Sequence, residues 1–186
     1  APINPAMTAG GSKIPSRDKS YDQFQPKISL TTTAENTTVY ASYGVGFRSG
    51  GFNSSGSAAL INSQLNIPVS AGLGVSDSFN KEVSKSFEVG FKGRYLDGRL
   101  AINGAIFETE VDDNQFFEFF AGPWGLLRVV TSIDQLDISG SELDFKYALT
   151  DSIRLDGGIG YTDGEIKKNA HRPNTVGNNA PLAPEH

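Results

Sequence analysis

The chain contains no cysteine among its 186 residues. That absence excludes a disulfide scaffold, a thiolate metal site and a cysteine nucleophile, so any barrel formed here must hold by hydrogen bonding and closure. Positive charge is short as well. Sixteen Lys and Arg against 21 Asp and Glu give a formal net charge of −5, without a basic run, whereas a nucleic-acid binder needs a basic face to neutralise phosphates. No apolar run approaches the ~18 residues of a membrane helix. This excludes helical spanning only, because a barrel strand crosses a bilayer in about 9 to 11 residues with every second one apolar. The first residues, Ala1-Pro2-Ile3-Asn4-Pro5, show neither a charged n-region nor an apolar h-region, so an exported protein is expected to have lost its leader, or the segment to be internal. His171 and His186 lie in loop-like sequence with nothing clustered about them. No nucleophile, base and orienting partner occur as a motif, so no enzyme is expected. Asp112-Asp113-Asn114 offers oxygen ligands without the spacing of a calcium loop, and neither metal nor cofactor is expected.

What is present is alternation. Residues 1–20, rich in Pro, Gly, Ser and Lys, read as a loop or disordered arm. A first strand is expected over 23–32, with Ile28 and Leu30 opposite Lys27, Ser29 and Thr31. A second over 37–48 sets Val39, Ala41, Tyr43, Val45 and Phe47 against Tyr40, Ser42, Gly44, Gly46 and Arg48. A third over 84–95 sets Phe87, Val89, Phe91 and Tyr95 against Glu88, Gly90, Lys92 and Arg94. After the hairpin signal Asp97-Gly98, a fourth carries Leu100, Ile102 and Ile106. Residues 112–125 read as a loop, and its Phe116-Phe117-Glu118-Phe119-Phe120 run is too aromatic for an ordinary solvated one. A fifth strand over 127–149, with a bulge near Ser139-Gly140, alternates Leu143, Phe145 and Tyr147 with Glu142, Asp144 and Lys146. A sixth places Ile153, Leu155, Ile159 and Tyr161 opposite Arg154, Asp156, Gly158 and Gly160. The stretch from Lys167 onward reads as a further long loop.

The connections sort by length. Tyr95-Leu96-Asp97-Gly98-Arg99 and Leu149-Thr150-Asp151-Ser152-Ile153 turn tightly, whereas residues 49–83 form a long polar connection of mobile composition. A soluble sandwich has no reason to gather short turns at one end and long loops at the other; a transmembrane barrel does, because its rims face different compartments. Periodicity alone fits both, since apolar faces meet each other in a sandwich and meet lipid in a barrel. Aromatic residues near strand ends, Phe47, Tyr95, Tyr147 and Tyr161, favour the interfacial girdle of a barrel. Six strands leave two open edges, whose unpaired backbone groups are costly in hydrocarbon, so a larger structure is expected.

Several segments resemble, in order, the barrel of TonB-dependent outer-membrane receptors. They are Pro26-Lys27-Ile28-Ser29-Leu30, Val39-Tyr40-Ala41-Ser42-Tyr43 and Gly46-Phe47-Arg48-Ser49-Gly50-Gly51-Phe52-Asn53. Then come Ser86-Phe87-Glu88-Val89-Gly90-Phe91-Lys92, Leu96-Asp97-Gly98-Arg99-Leu100, Gly140-Ser141-Glu142-Leu143 and Gly160-Tyr161-Thr162-Asp163-Gly164-Glu165, while Gly177 to His186 is similar to the lead into a late strand. The resemblance covers most of residues 21–186. It implies an all-β fold, an antiparallel meander of about six strands forming an incomplete part of a 22-stranded transmembrane β-barrel. Residues 21–166 would be barrel and 167–186 a truncated extracellular loop. It further implies a bacterial outer-membrane location in contact with lipid, a plug domain inside the remaining barrel, energisation by the TonB complex, and import of a ferric siderophore or other small nutrient, with this segment alone inactive.

On that reading Arg48 and Phe52 stand where a strand enters an outer loop, and Arg48 contacts an anionic ferric chelate, orders the loop, or is simply an interfacial residue beside glycines that supply turn geometry. Phe116, Phe117, Phe119, Phe120 and Trp124 either form a ligand-facing platform or pack on neighbours. Glu88, Lys92, Arg94, Glu142, Asp144, Lys146, Arg154 and Asp156 would pair with one another or with the plug, or line a transport path. The competing expectations are a soluble β-rich binding or structural domain and a passive porin.

Overall fold

The computed structural model describes residues 16–65 and 74–181. Within them, one antiparallel sheet of six strands dominates. Its strands are β1 (Lys27–Ala34), β2 (Thr37–Arg48), β5 (Glu82–Tyr95), β6 (Leu100–Gly122), β7 (Gly125–Ala148) and β8 (Arg154–Lys168), in that spatial order, each pairing with the next along the chain. A two-stranded ribbon, β3 (Gly51–Phe52) with β4 (Ser78–Phe79), and one helix, α1 (Ser57–Gln64), fold from the long connection between β2 and β5. The meander is unclosed: β1 and β8 do not pair.

The alternation expected from sequence survives in the register. Across one rung, Val39 pairs Phe91, Phe91 pairs Gly104, Gly104 pairs Leu143 and Leu143 pairs Ile159. All of these share a face, because side chains paired on the same rung of neighbouring strands point the same way. On that face Ile28, Leu30, Phe87, Ile106 and Ile159 are exposed, Leu30 and Ile159 by more than 70%. Among the described residues no second layer covers them. A soluble fold of this size does not leave its largest apolar surface bare, so the sandwich expectation fails on packing. Tyr95 and Tyr147 both pair with Leu100, marking the end of this belt near the tight turns.

Those turns, residues 35–36, 96–99 and 149–153, lie at one rim. The long connections lie at the other, where the buried core also sits. One cluster joins Ala58, Ile61 and Val75 from the long connection to Val129 of β7. A second joins Val111, Ile133, Leu136 and Ile166.

Three expectations are corrected. Residues 112–125 are not a loop: β6 runs to Gly122 and pairs through Gly122↔Gly125 with β7, leaving only Pro123 and Trp124 at the tip. The pair continues because its two strands stand clear of the apolar belt and bond each other. No register shift occurs at Ser139-Gly140; the irregularity lies at Gln135/Leu136, opposite which Lys167 of β8 is extra. The long connection over 49–83 is not merely mobile polar chain, since α1 inserts Ile61, which is fully buried. In the arm expected over 1–20, residues 1–15 lie outside the described residues and 16–20 are irregular. The final five residues also lie outside them. Before these, Gly177 and Ala180 donate their backbone N–H groups to Ile166 and Gly164 at 2.9 and 2.7 Å, so the chain already returns along the free edge of β8.

Candidate functional site at the long-loop rim

Where β2 and β5 leave the belt, Arg48 stands opposite Glu82 and binds it at 2.6 Å. The same guanidinium donates to the Gln115 carbonyl at 2.8 Å. Glu82 also accepts from the Gln115 backbone N–H at 2.7 Å and from Asn114 Nδ2 at 3.2 Å. Gln115 then reaches both ends of the long connection, donating through Nε2 to Ser49 O at 3.0 Å and Asn80 O at 2.9 Å. Arg48 is thus part of a clasp that joins three strands and closes the base of a loop.

Asn53 holds the far side of that loop. It is 6% exposed, and its Nδ2 donates to Ser76 O and Val130 O, both at 2.9 Å, while its Oδ1 accepts from Val130 N–H at 2.7 Å. The amide therefore substitutes for a neighbouring strand along the β7 edge that β8 no longer covers. Phe52 beside it lies beneath Arg17, whose guanidinium carbon is 4.7 Å from the ring centroid.

The aromatic run divides by parity. Phe120 packs on the Ile61 cluster and Phe116 on the Ile133 cluster. Phe117 and Phe119 point the other way and are exposed by 54% and 62%, with the Arg128 guanidinium 4.3 Å above the Phe117 ring. Trp124 at the tip folds over Gly122, where any side chain would collide with the indole. The division follows from a kink. Asp113 has φ of 53° and stands opposite Asp134 at the one rung missing from the β6–β7 ladder. Beyond it Phe116 and Ile133, which by alternation extend the apolar belt, instead pack with Val111, Leu136 and Ile166 of the opposite face.

A polar cleft of about 250 Å³ opens beside this kink. Its walls include Asn80, Asp113, Glu118, Asp134, His171 and Arg172, so the long connection, the hairpin and the terminal segment all contribute. Arg172 pairs with Glu118 at 3.2 Å, and Asp134 accepts from the backbone N–H of Ala170. Desolvation pushes the Asp113 carboxyl above its ordinary range, with Asp134 and Asp112 adding to the rise and a hydrogen bond from Asn80 opposing it. No group of His, Asp and Glu suited to a metal ion occurs among the described residues.

The charged residues of the strands gather on the sheet's polar face near the tight turns. Lys92, Asn103 and Asp144 share one rung, and Arg94, Ala101, Lys146 and Asp156 another. Asn103 donates to Asp144 at 2.9 Å, and Tyr40 donates to Glu88 at 2.6 Å. The ion pairs of the described residues lie elsewhere: none joins two members of the set Glu88, Lys92, Arg94, Glu142, Asp144, Lys146, Arg154 and Asp156. Sequence reading missed Asn53 as a loop anchor, and also Glu82, Gln115, Glu118, Arg128, Asp134 and Arg172. These roles depend on cross-strand partners, and only Asn53, in the quoted Gly50-Gly51-Phe52-Asn53, carried any local signal.

Residues 5–186 match the family model for the β-barrel of TonB-dependent receptor-like proteins. The probable TonB-dependent receptor BfrD of Bordetella pertussis is 31% identical over 116 residues, which are 61% of this chain and 14% of that protein. The solved structure of the copper transporter OprC superposes with a TM-score of 0.56 at 20% identity, over 76% of this chain and 20% of its own, a likeness of fold.

Proposed function

We propose, from the premise that this chain belongs to the TonB-dependent receptor-like β-barrel family, that it forms one part of the wall of a bacterial outer-membrane receptor. The family is one of transporters and receptors rather than enzymes, and its barrel architecture agrees with the all-β meander described above. The observation that carries the reading is the bare apolar face backed by a charged one. From Tyr95 to Phe87 that face runs eight residues, roughly 26 Å along the strand at about 3.3 Å each, or about 20 Å of height at a ~40° tilt. That matches the scale of an outer-membrane apolar band, about 25 Å.

In this reading residues 21–166 are barrel wall, 167–186 belong to an outer loop and 1–20 are an arm. The parent receptor imports a scarce small nutrient, a ferric siderophore first of all, with the TonB complex supplying the energy. Glu88, Lys92, Arg94, Glu142, Asp144, Lys146, Arg154 and Asp156 face the plug. Phe117 and Phe119 with Arg128 above supply the ligand platform, since aromatic faces beside a fixed cation suit a flat anionic chelate. Phe116 and Phe120 support that platform from below, Trp124 closes its tip, and Arg48 and Phe52 hold the loop base.

The test is uptake of ⁵⁵Fe-labelled siderophores by cells carrying or lacking the full-length receptor, with and without TonB. Loss of uptake in both deletions is expected. Undiminished uptake of every chelate offered removes the siderophore assignment, and uptake that persists without TonB removes the energised mechanism.

A further inference from the structure

Four consecutive strand pairs of the sheet share one feature, an aromatic residue directly opposite a glycine. Tyr40 of β2 stands opposite Gly90 of β5, Phe91 of β5 opposite Gly104 of β6, Phe107 of β6 opposite Gly140 of β7, and Phe145 of β7 opposite Gly157 of β8. In each pair the ring lies across the glycine. A first side-chain carbon added at Gly90, Gly104, Gly140 or Gly157 would come within 2.6, 2.7, 2.5 or 2.9 Å of a ring carbon, well inside the ~3.5 Å at which carbon atoms touch. None of the four has a positive φ, so the backbone does not demand glycine there, and glycine inside a strand weakens it. What demands it is the space the ring occupies.

The rings settle register. Side chains alternate with period two, so a one-residue slip would turn the apolar positions to the polar side, whereas a two-residue slip preserves both faces and is not opposed by alternation. The rings oppose it. After a two-residue slip Tyr40 would meet Glu88 or Lys92, Phe91 would meet Ile102 or Ile106, Phe107 would meet Ile138 or Glu142, and Phe145 would meet Leu155 or Ile159, each a side chain where the ring now covers bare backbone. The need is greatest between β2 and β5, because the connection that joins them is too long to fix a register through turn geometry. We propose that these ring-on-glycine joints are the register keys of the wall, each admitting one alignment of its strand pair as the barrel assembles.

The test uses the full-length receptor in cells and so rests on the outer-membrane reading. Ala41→Cys with Val89→Cys marks the native register of β2 and β5. Ala41→Cys with Phe87→Cys, and Tyr43→Cys with Val89→Cys, meet only after a two-residue slip in one direction or the other. Oxidation should close the native pair in the otherwise unaltered receptor and in Tyr40→Phe, which keeps the ring but loses the hydroxyl bonded to Glu88. Tyr40→Ala should raise the slipped disulfides several-fold. Between β7 and β8, Gly157→Ala should cut the heat-modifiable receptor several-fold, and Phe145→Leu in the same chain should restore it. Gly160→Ala, whose added carbon meets nothing nearer than Ser141 O at 3.9 Å, should change nothing. The proposal is overturned if Tyr40→Ala accumulates with the native disulfide alone, if Gly157→Ala accumulates like the unaltered receptor, or if Phe145→Leu fails to rescue it. An unaltered receptor that closes the native disulfide without heat-dependent gel mobility refutes the outer-membrane reading and not the joints, which the slipped disulfides then decide.

Discussion

Asp113 shows how one residue redirects an element. Its left-handed φ of 53° is tolerated by Asp better than by most side chains, and its carboxyl faces Asp134 across the hairpin, where like charges oppose pairing. Because burial raises its pKa above the ordinary carboxyl value, the native hairpin holds this proton more tightly than the unfolded chain does. The resulting stabilisation is fully present below the unfolded value and is lost as pH rises through the higher native one. Asp112 and Asp134 add to the rise, Asn80 opposes it, and Glu118, His171 and Arg172 share the cleft. Amide exchange over residues 114–133, corrected for intrinsic rates, should therefore show stronger protection in mild acid than at neutral pH. Asp113→Asn, which keeps the tolerance for left-handed backbone, should flatten that dependence and raise protection at neutral pH. A dependence unchanged in the variant would assign the effect to another group.

At the scale of elements, α1 and the outer half of the β6–β7 hairpin depend on each other. A helix of eight residues is marginal in water alone, and its N-cap, Gly56, has no side chain to cap it, so the Ala58 N–H donates instead to Asp77 Oδ1 at 3.1 Å. What fixes it is Ile61 docking beside Val129, with Asn53 stitched to the β7 edge. Ile61→Ala should cost the loop about 2–5 kcal/mol of local stability, seen as faster proteolysis within residues 49–81 while the strands below keep their exchange protection. Simultaneous loss in β2 and β5 would mean that the loop is integral to the wall. This dependence explains what the sequence concealed. Ser57-Ala58-Ala59-Leu60-Ile61 shows no amphipathic face strong enough to announce a helix, because its partner lies some 70 residues away in sequence. The hairpin was hidden differently: above Ile106 the outward positions change from apolar to Glu108, Glu110 and Asp112. Alternation therefore lost its contrast just where the strand continued. Strands within the belt, such as 84–95, were legible because lipid-facing and polar-facing positions differ at every step. The Arg48–Glu82–Gln115 clasp was not, since each of its contacts crosses strands and no local spacing encodes it.

For the whole molecule, the decisive quantity is the sign of the environment on each face. Leu143 and Glu142 are neighbours on β7, yet alternation places them on opposite sides, Leu143 near mid-belt between Gly104 and Ile159 and Glu142 between Ala105 and Gly160. If the apolar face meets hydrocarbon, Leu143→Arg should destabilise the full-length barrel in phospholipid vesicles by about 2–4 kcal/mol, the cost of a basic side chain near the bilayer midplane. Glu142→Arg exchanges one hydrated charge for another on the polar face and should change stability far less. Denaturant unfolding of the two variants measures the difference directly. Moving Leu143→Arg toward an interface position by testing Tyr147→Arg should reduce the penalty to about 0–1 kcal/mol, because Tyr147 lies at the tight-turn end of the belt. A gradient with depth is specific to a bilayer. In a protein whose apolar face were covered by a second protein layer, the penalty would follow packing density instead and would not fall toward the turns. Equal costs at positions 143 and 147, or a larger cost at 142, would therefore invert the assignment of faces and with it the placement of this chain in a barrel wall.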